Sequence, residues 1–258
     1  MIVSDFREAL AYRDFLGYLV RQQFHQRYHG SALGLLWAVL YPLLTFVSLA
    51  FVFSYVNNWD VRDYGVYFFS GYIVWNFIAN TTQGAADATT GQASFVTSVR
   101  VPKLVLPLAF AIAGAIDFLL NCAILAVLMA LLGARFSLAL LVTPVSVLII
   151  CVFVLGLSLI AAVAQVFFRD FKFLLSSAFF LGFFLSPILW KAETAGPLAI
   201  VAAVNPVVPF LRLVQWPVWK GVVPDPSVFG IATAVALATL IGGAALFSHT
   251  QRRFYYYL

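Results

Sequence analysis

Leu138–Phe167 runs from LALLVTPV to IAAVAQVF without a single Asp, Glu, Lys or Arg. A bilayer core of about 30 Å is crossed by roughly 20 apolar residues in a helix, so this segment by itself marks an integral membrane protein. Five more segments have related character: about Ala32–Val56, Gly65–Gly84, Leu104–Leu132, Phe173–Trp190 and Val228–Ser248. Composition points the same way. The 258 residues are 63% hydrophobic and 10% charged, against about half and about a quarter in a soluble domain. That much apolar surface cannot be hidden from water by folding the chain on itself. The expected fold is all-α with six transmembrane helices in one domain, since neither an internal repeat nor a linker divides the sequence.

The second segment is the least apolar, because NTTQGAADATTGQAS follows its greasy half. It spans only if protein shields its polar half. Basic residues set the orientation. Arg7, Arg13, Arg21, Arg27, Arg100, Lys103, Arg169, Lys172, Arg252 and Arg253 fall on one side of the expected bundle; Arg62, Arg135, Lys191, Arg212 and Lys220 fall on the other. The excess places both termini in the cytoplasm. The net charge of +5 is explained by that bias, and no nucleic-acid partner is expected. The first 31 residues hold no long apolar core, so no cleaved signal peptide is expected.

Two stretches are neither span nor simple loop. In residues 1–31, Tyr12, Phe15, Leu16, Leu19, Val20 and Phe24 share about half of a helix circumference, which reads as an amphipathic interface helix that Gly30-Ser31 ends. The six-span bundle then covers 32–248, with a cytoplasmic tail at 249–258. Within the bundle, 191–227 is too apolar for a free loop and too proline-rich for a span. Short re-entrant helices on the outer side fit it best.

Enzyme motifs are absent. There is no G-x-x-x-x-G-K-[ST] loop to hold ATP phosphates. His25, His29 and His249 have no metal-binding companions in sequence, and Cys122 and Cys151 read as small buried hydrophobes. No catalytic residue, metal or cofactor is expected in this chain. Asp117 is the acid placed deepest in an apolar segment. It is either the site of an ion-coupled carrier or channel, or a hydrogen-bonded acid packed beside Asn121 one turn on.

The first span carries a sharper pattern. Gly34, Trp37, Tyr41, Thr45, Ser48, Val52 and Tyr55 fall within an arc of about 80° at 100° per residue. In the fifth, Ser176, Ser177, Phe180, Phe183, Phe184, Pro187 and Trp190 share a side more loosely. Helix packing alone accounts for small and hydroxyl residues, but does not require Trp and Tyr in register with them. Hydroxyls and flat rings suit a passenger such as a sugar, whose ring faces stack while its own hydroxyls hydrogen-bond. The outer-side aromatics Tyr55, Trp59, Tyr64, Tyr67, Tyr72, Trp75, Trp190, Trp216 and Trp219 read mainly as an interface belt.

RYHGSALGLLWAVLYPLL at 27–44, FFRDFKFLLSSAFFLGFFLSPILW at 167–190 and NPVVPFLRLVQWPV at 205–218 together resemble the membrane subunit of type-2 ABC transporters that export polysaccharide, in the O-antigen, capsule and teichoic-acid branch. That resemblance implies a homodimer in the bacterial inner membrane. Two copies of a separate ATPase, which binds ATP and Mg, would drive a lipid-linked polysaccharide outward. It also implies that spans one and five line the path, through Trp37, Tyr41, Thr45, Ser48, Tyr55, Ser176, Phe180, Phe183, Phe184 and Trp190. The N-terminal helix and the 85–103 loop would meet the ATPase, through Arg13, Arg21, Arg27, Arg100, Pro102 and Lys103, with Ser94–Leu104 as a short coupling helix. His29 stands where the family commonly has Lys or Arg, which makes the local charge pH-dependent.

Overall fold

Local chemistry explains where the helices begin and end. Asp60 precedes helix α4 (Val61–Gly91), and one of its carboxylate oxygens accepts the backbone N–H of Arg62 at 2.9 Å and of Asp63 at 3.1 Å. Those are donors that a helix N-terminus otherwise leaves orphaned. Pro144 and Pro226 lie in the first turns of α6 (Thr143–Phe167) and α10 (Pro226–Thr250), where a missing N–H removes no helical bond. Past the end of α5 (Val105–Leu131), Gly133 takes φ 70° and the Ala134 N–H returns to the Met129 carbonyl at 2.8 Å.

The computed structural model describes residues 2–28, 36–57, 60–91, 102–134, 136–192 and 196–256. His29, Gly30, Ser31, Gly34, Trp59, Arg100 and most of Ser94–Leu104 lie outside the described residues, as does the side chain of Arg27. Every regular element among the described residues is helical. In chain order the others are α1 (Ile2–Ala11), α2 (Arg13–Tyr28), α3 (Trp37–Asn57), α7 (Phe171–Leu185), α8 (Leu198–Val204) and α9 (Val208–Gln215). Short 3₁₀ or π turns occupy Leu138–Val142, Trp216–Lys220 and Gln251–Tyr256.

Among the described residues, three helical segments are long and apolar enough to cross a membrane: Val105–Leu131, Leu138–Phe167 and Pro226–Thr250. Two of them, α6 and α10, approach each other backbone to backbone. A methyl group on Gly156 of α6 would run into the backbone of Thr239 and Leu240, and one on Gly243 of α10 would meet the Gly156 carbonyl. Two glycines thus let α6 and α10 touch backbone to backbone, the small-residue device by which membrane helices approach. Above that contact α9 is wedged in, with the Phe210 ring stacked on Phe153 at 4.0 Å between centroids.

Helix α4 stays helical through its polar half because protein covers it. Thr81, Thr82, Ala85, Ala86, Ala88 and Thr89 are all buried. Its first half corrects the interface-belt reading of four aromatics: Tyr64, Tyr67, Tyr72 and Trp75 are core residues, between 0% and 8% exposed. Their place on the helix that α3, α5, α6, α7 and α9 all touch explains the difference. The N-terminal stretch also differs in detail. Tyr12 breaks it into α1 and α2 and is itself exposed, while Leu16 and Leu19 are buried in a cluster with Leu104–Ala109, Val163 and Phe247. Its apolar face is therefore occupied by protein.

Helix α7 is the opposite case. It has 15 residues and none is buried; at 1.5 Å per residue it reaches about 22 Å, short of a bilayer core. Pro187 cannot extend it, and Ser186, Pro187, Ile188 and Leu189 turn inward and are buried.

Candidate functional site: a groove along α4

Within the polar half of α4, Asn76, Asn80, Gln83, Asp87 and Thr90 recur at three- and four-residue spacing, which confines them to an arc of about 80°. All five are half-buried or exposed while most of their neighbours are buried. The amides are partly engaged along this ridge: Asn80 Nδ2 donates to Asn76 Oδ1 at 2.9 Å and Gln83 Nε2 to the Ala79 carbonyl at 3.2 Å. The ridge forms the floor of an open groove.

Helix α3 supplies one wall and α7 the other. Tyr41, Thr45, Leu49 and Phe53 face Ser176, Phe179, Phe180, Phe183 and Phe184 across Tyr72, Trp75, Asn76, Asn80 and Gln83, around a cavity of about 450 Å³. From Gln83 and Ser176 it continues into a smaller cleft of about 230 Å³ lined by Asp87, Lys172 and Phe173. The Trp75 ring meets Phe179 edge-on at 6.0 Å and Phe183 at 6.2 Å, and Phe180 lies 5.3 Å from Phe184. Gly182 makes this approach feasible, since a methyl there would collide with the far edge of the Trp75 indole. Thr45 Oγ1 donates to the Tyr41 carbonyl at 2.9 Å. The result is a trough with an amide floor and aromatic rims, a surface that offers hydrogen bonds and stacking faces together.

At the Asp63 end the trough is closed by the Ser186–Trp190 turn. The Tyr64 hydroxyl donates to the Leu189 carbonyl at 3.2 Å, the Tyr67 hydroxyl lies 2.7 Å from the Pro187 carbonyl and 2.6 Å from that of Trp190, and Gln215 Nε2 donates to Pro187 at 3.0 Å. Asn205 Nδ2 donates to Ser186 Oγ at 2.9 Å. Outside these, the Lys191 ammonium pairs with Asp63 at 3.0 Å and lies 4.4 Å over the Trp219 ring, whose Nε1 donates to the other Asp63 oxygen at 2.6 Å. The turn is thus tied to α4 on one side and to the α9 segment on the other.

The structure therefore brings Tyr41 and Thr45 of the first stripe together with Ser176, Phe180, Phe183 and Phe184 of the second. Trp37 sits with Tyr41 on the α5 side of α3, where a separate pocket also holds Asp117. Ser48 and Tyr55 are exposed, Tyr55 at 83%, and line neither space. Trp190 is half-buried and its Nε1 donates to the Phe184 carbonyl at 2.9 Å, beside the groove.

Of the coupling residues, Arg13 and Arg21 are exposed, and Arg13 lies 4.0 Å from Asp14, a solvent-facing pair of little energetic weight. Pro102 and Lys103 are half-buried. Lys103 Nζ donates to the Gln251 carbonyl at 2.9 Å and lies 5.6 Å over the Phe254 ring, so it fastens the C-terminal turn to the start of α5. Burial lowers its pKa below the ordinary 10.5. The amide ridge and the Asp63–Lys191–Trp219 contact are functional candidates that the sequence reading did not single out. The ridge was legible in its spacing; the contact joins residues too far apart in sequence to be paired.

The ABC-2 type transporter membrane model matches residues 15–219, from α2 to the turn that holds Trp219. Among relatives, the chain is 28% identical over 251 residues, 96% of each chain, to the O-antigen export system permease protein RfbA of Myxococcus xanthus. It is 26% identical over 181 residues, 70% of each chain, to the O-antigen export system permease protein RfbA of Klebsiella pneumoniae. With its long apolar helices and this match, the chain is a multi-pass membrane protein that belongs to the ABC-2 type transporter family.

Proposed function

We propose that this chain is the transmembrane subunit of an ATP-driven exporter that moves a lipid-linked polysaccharide, of the O-antigen kind, out across the bacterial inner membrane. It works as a homodimer of six-span subunits with two copies of a separate ATPase, and both termini are cytoplasmic. In this arrangement α3 and α4 are spans one and two. The short α7 completes span five together with the inward turn after it, and α8 and α9 re-enter from the outer side. The chain forms one transmembrane domain. Arg13, Arg21, Arg27, Arg100 and Pro102 meet the ATPase, while Lys103 positions that surface from within the chain.

The observation that carries this reading is the groove along α4. Its floor of amides and rims of aromatic rings match a passenger with hydroxyls at its edges and C–H faces above and below. An ion pathway would be lined by charged groups or ordered carbonyls instead, and a lipid tail would need no amides. The Lys172 end faces the cytoplasm on the basic-residue count, and the Ser186–Trp190 turn sits at the outer exit. Names of relatives add the substrate class: both are O-antigen export permeases.

Deletion and complementation test the proposal. In a strain lacking this chain, the wild-type protein restores surface polysaccharide. The Tyr41→Ala, Phe180→Ala, Phe184→Ala triple variant, which strips rings from both walls of the groove, reaches the membrane and co-purifies with the ATPase, but leaves polymer inside the cell. Each sugar–ring stack contributes roughly 1 kcal/mol, so single substitutions slow export and only the combination stops it. Full export by the triple variant at wild-type protein levels would overturn the assignment of the path.

A further inference from the structure

A second pocket, of about 350 Å³, opens between α3, α4 and α5 on the other side of Tyr41 from the groove. Trp37 covers it, Asn76 and Asn80 reach it from α4, and Asp117 and Asn121 from α5. Below them Phe77 and Phe118 are stacked face to face at 4.8 Å between centroids and 6° between planes. Gly114 brings α5 against α4 here, since a methyl group would strike the Thr81 side chain. Asn121 spends its N–H₂ on the Asp117 backbone carbonyl at 2.8 Å, and its Oδ1 is buried with no hydrogen-bond partner among the described residues. A buried acceptor left so costs free energy until a donor arrives.

We propose that this pocket is a recognition site for one sugar unit, a neutral ring bearing several hydroxyls. The inference rests on the export reading above and adds a site to it. The orphaned Asn121 oxygen asks for an O–H donor, Asp117 and the Asn76–Asn80 pair add further hydrogen-bonding groups, and the Trp37 face and the Phe77–Phe118 floor suit ring C–H groups. A phosphate is disfavoured, because no described Lys or Arg lines the pocket and a carboxylic acid does. A bare cation is disfavoured by size: oxygen ligands hold cations at about 2.0–2.6 Å, whereas this volume lies at the lower end of the range, about 300–1,000 Å³, typical of small organic ligands. Tyr41 is shared by both spaces, so a bound ring sits one side chain away from the path.

The test uses the full chain in lipid nanodiscs of phosphatidylethanolamine and phosphatidylglycerol, with saturation-transfer NMR on methyl glycosides of glucose, galactose, mannose and rhamnose. At least one glycoside receives saturation at its ring protons. Its binding weakens about tenfold in Asn121→Leu, which deletes one buried polar contact, and also in Trp37→Ala. The latter is at an exposed position and keeps the test alive if the former folds poorly. No transfer to any glycoside, or equal transfer in wild type and Trp37→Ala, overturns the proposal. So does a Trp fluorescence change on adding sodium chloride in place of choline chloride that Asp117→Asn abolishes, because that marks a cation site. Export assays separate the two readings. If Asn121→Leu exports normally while bulky groove substitutions block export, the pocket falls and the path stands; if neither impairs export, the path itself falls.

Discussion

The α6–α10 pair and the α3–α7 pair are equally greasy and packed in opposite ways. Between α6 and α10, Gly156 and Gly243 bring backbones into contact, and Ile150, Phe153, Leu159 and Ala162 are at most 3% exposed. Along α7 no residue is buried, and Phe180 remains 66% exposed. Along α3, Tyr41 is 62% exposed, and Phe46 reaches the core with Leu49 and Phe53 packed partly against it. Apolar composition cannot tell these pairs apart, because lipid solvates Leu and Phe as well as a protein core does. What separates them is where small residues sit. Glycine at the crossing point fixes α6 on α10, whereas α3 and α7 touch α4 through the ends of large rings and leave a trough between them. A closely packed block holds the groove, and the walls of the groove are sparsely buried helices.

Breaking the block should have the largest effect. Gly156→Leu forces α6 off α10 and costs about 3 kcal/mol, the upper range for overpacking. The expected outcome is loss of the monodisperse peak in fluorescence-detected size exclusion, without recovery on cooling. Survival of that peak would mean the backbone contact is dispensable. On a loose wall, a similarly large change should spare folding and strike transport: Thr45→Trp fills the trough and blocks export at normal protein levels. Leu237→Trp on the exposed side of α10 is the matched control, and it should export normally. Equal export by the two variants would erase the distinction between walls and lipid-facing surface.

Much of the block is legible in the sequence. The expected spans Leu104–Leu132, Leu138–Phe167 and Val228–Ser248 agree with α5, the 3₁₀ turn plus α6, and α10 to within a few residues, because an uninterrupted apolar run has only one way to satisfy its backbone in a membrane. The walls are less legible. The stripe on α3 has the expected register, yet Tyr41 and Thr45 reach the groove while Ser48 and Tyr55 do not, since helical periodicity gives a face and not the tilt that carries a face away from its neighbour. The span expected to run from Phe173 to Trp190 stops as a helix at Leu185, because residues 186–189 find hydrogen-bond partners on α4, on α9 and at Asn205 before it that no local signal announces. For the same reason Tyr64 and Tyr67 look like interface aromatics in sequence and are core residues in space.

Smaller effects sharpen the contrast at its two ends. Asn205→Ala removes the donor to Ser186 and should lower stability by about 1 kcal/mol, read as a lower thermal midpoint with faster proteolysis at the Ser186–Trp190 turn. An unchanged midpoint would make that bond incidental. At the other end, Lys103 should contribute a shallow pH dependence. Its folded pKa lies below 10.5, so the unfolded chain binds the proton more tightly than the folded one. Stability therefore rises as pH climbs through the lowered pKa toward 10.5, and the burial penalty on the charged form is fully present at lower pH. The group is only half-buried, so solvent still screens it and keeps the slope small. Lys103→Met should flatten the rise in thermal midpoint over that interval; an identical rise in the variant would assign it to another group.

The central claim is that polysaccharide runs in the trough between α3 and α7. Site-specific photocrosslinking in cells actively exporting polymer tests it most directly, with benzoylphenylalanine placed in turn at Thr45, Phe180 and Leu237. Polymer-sized adducts, detected with antibody to the surface polysaccharide, are expected at Thr45 and Phe180 and none at Leu237. Adducts at Leu237 equal to those at Thr45 and Phe180, or none at either groove position during normal export, would contradict it.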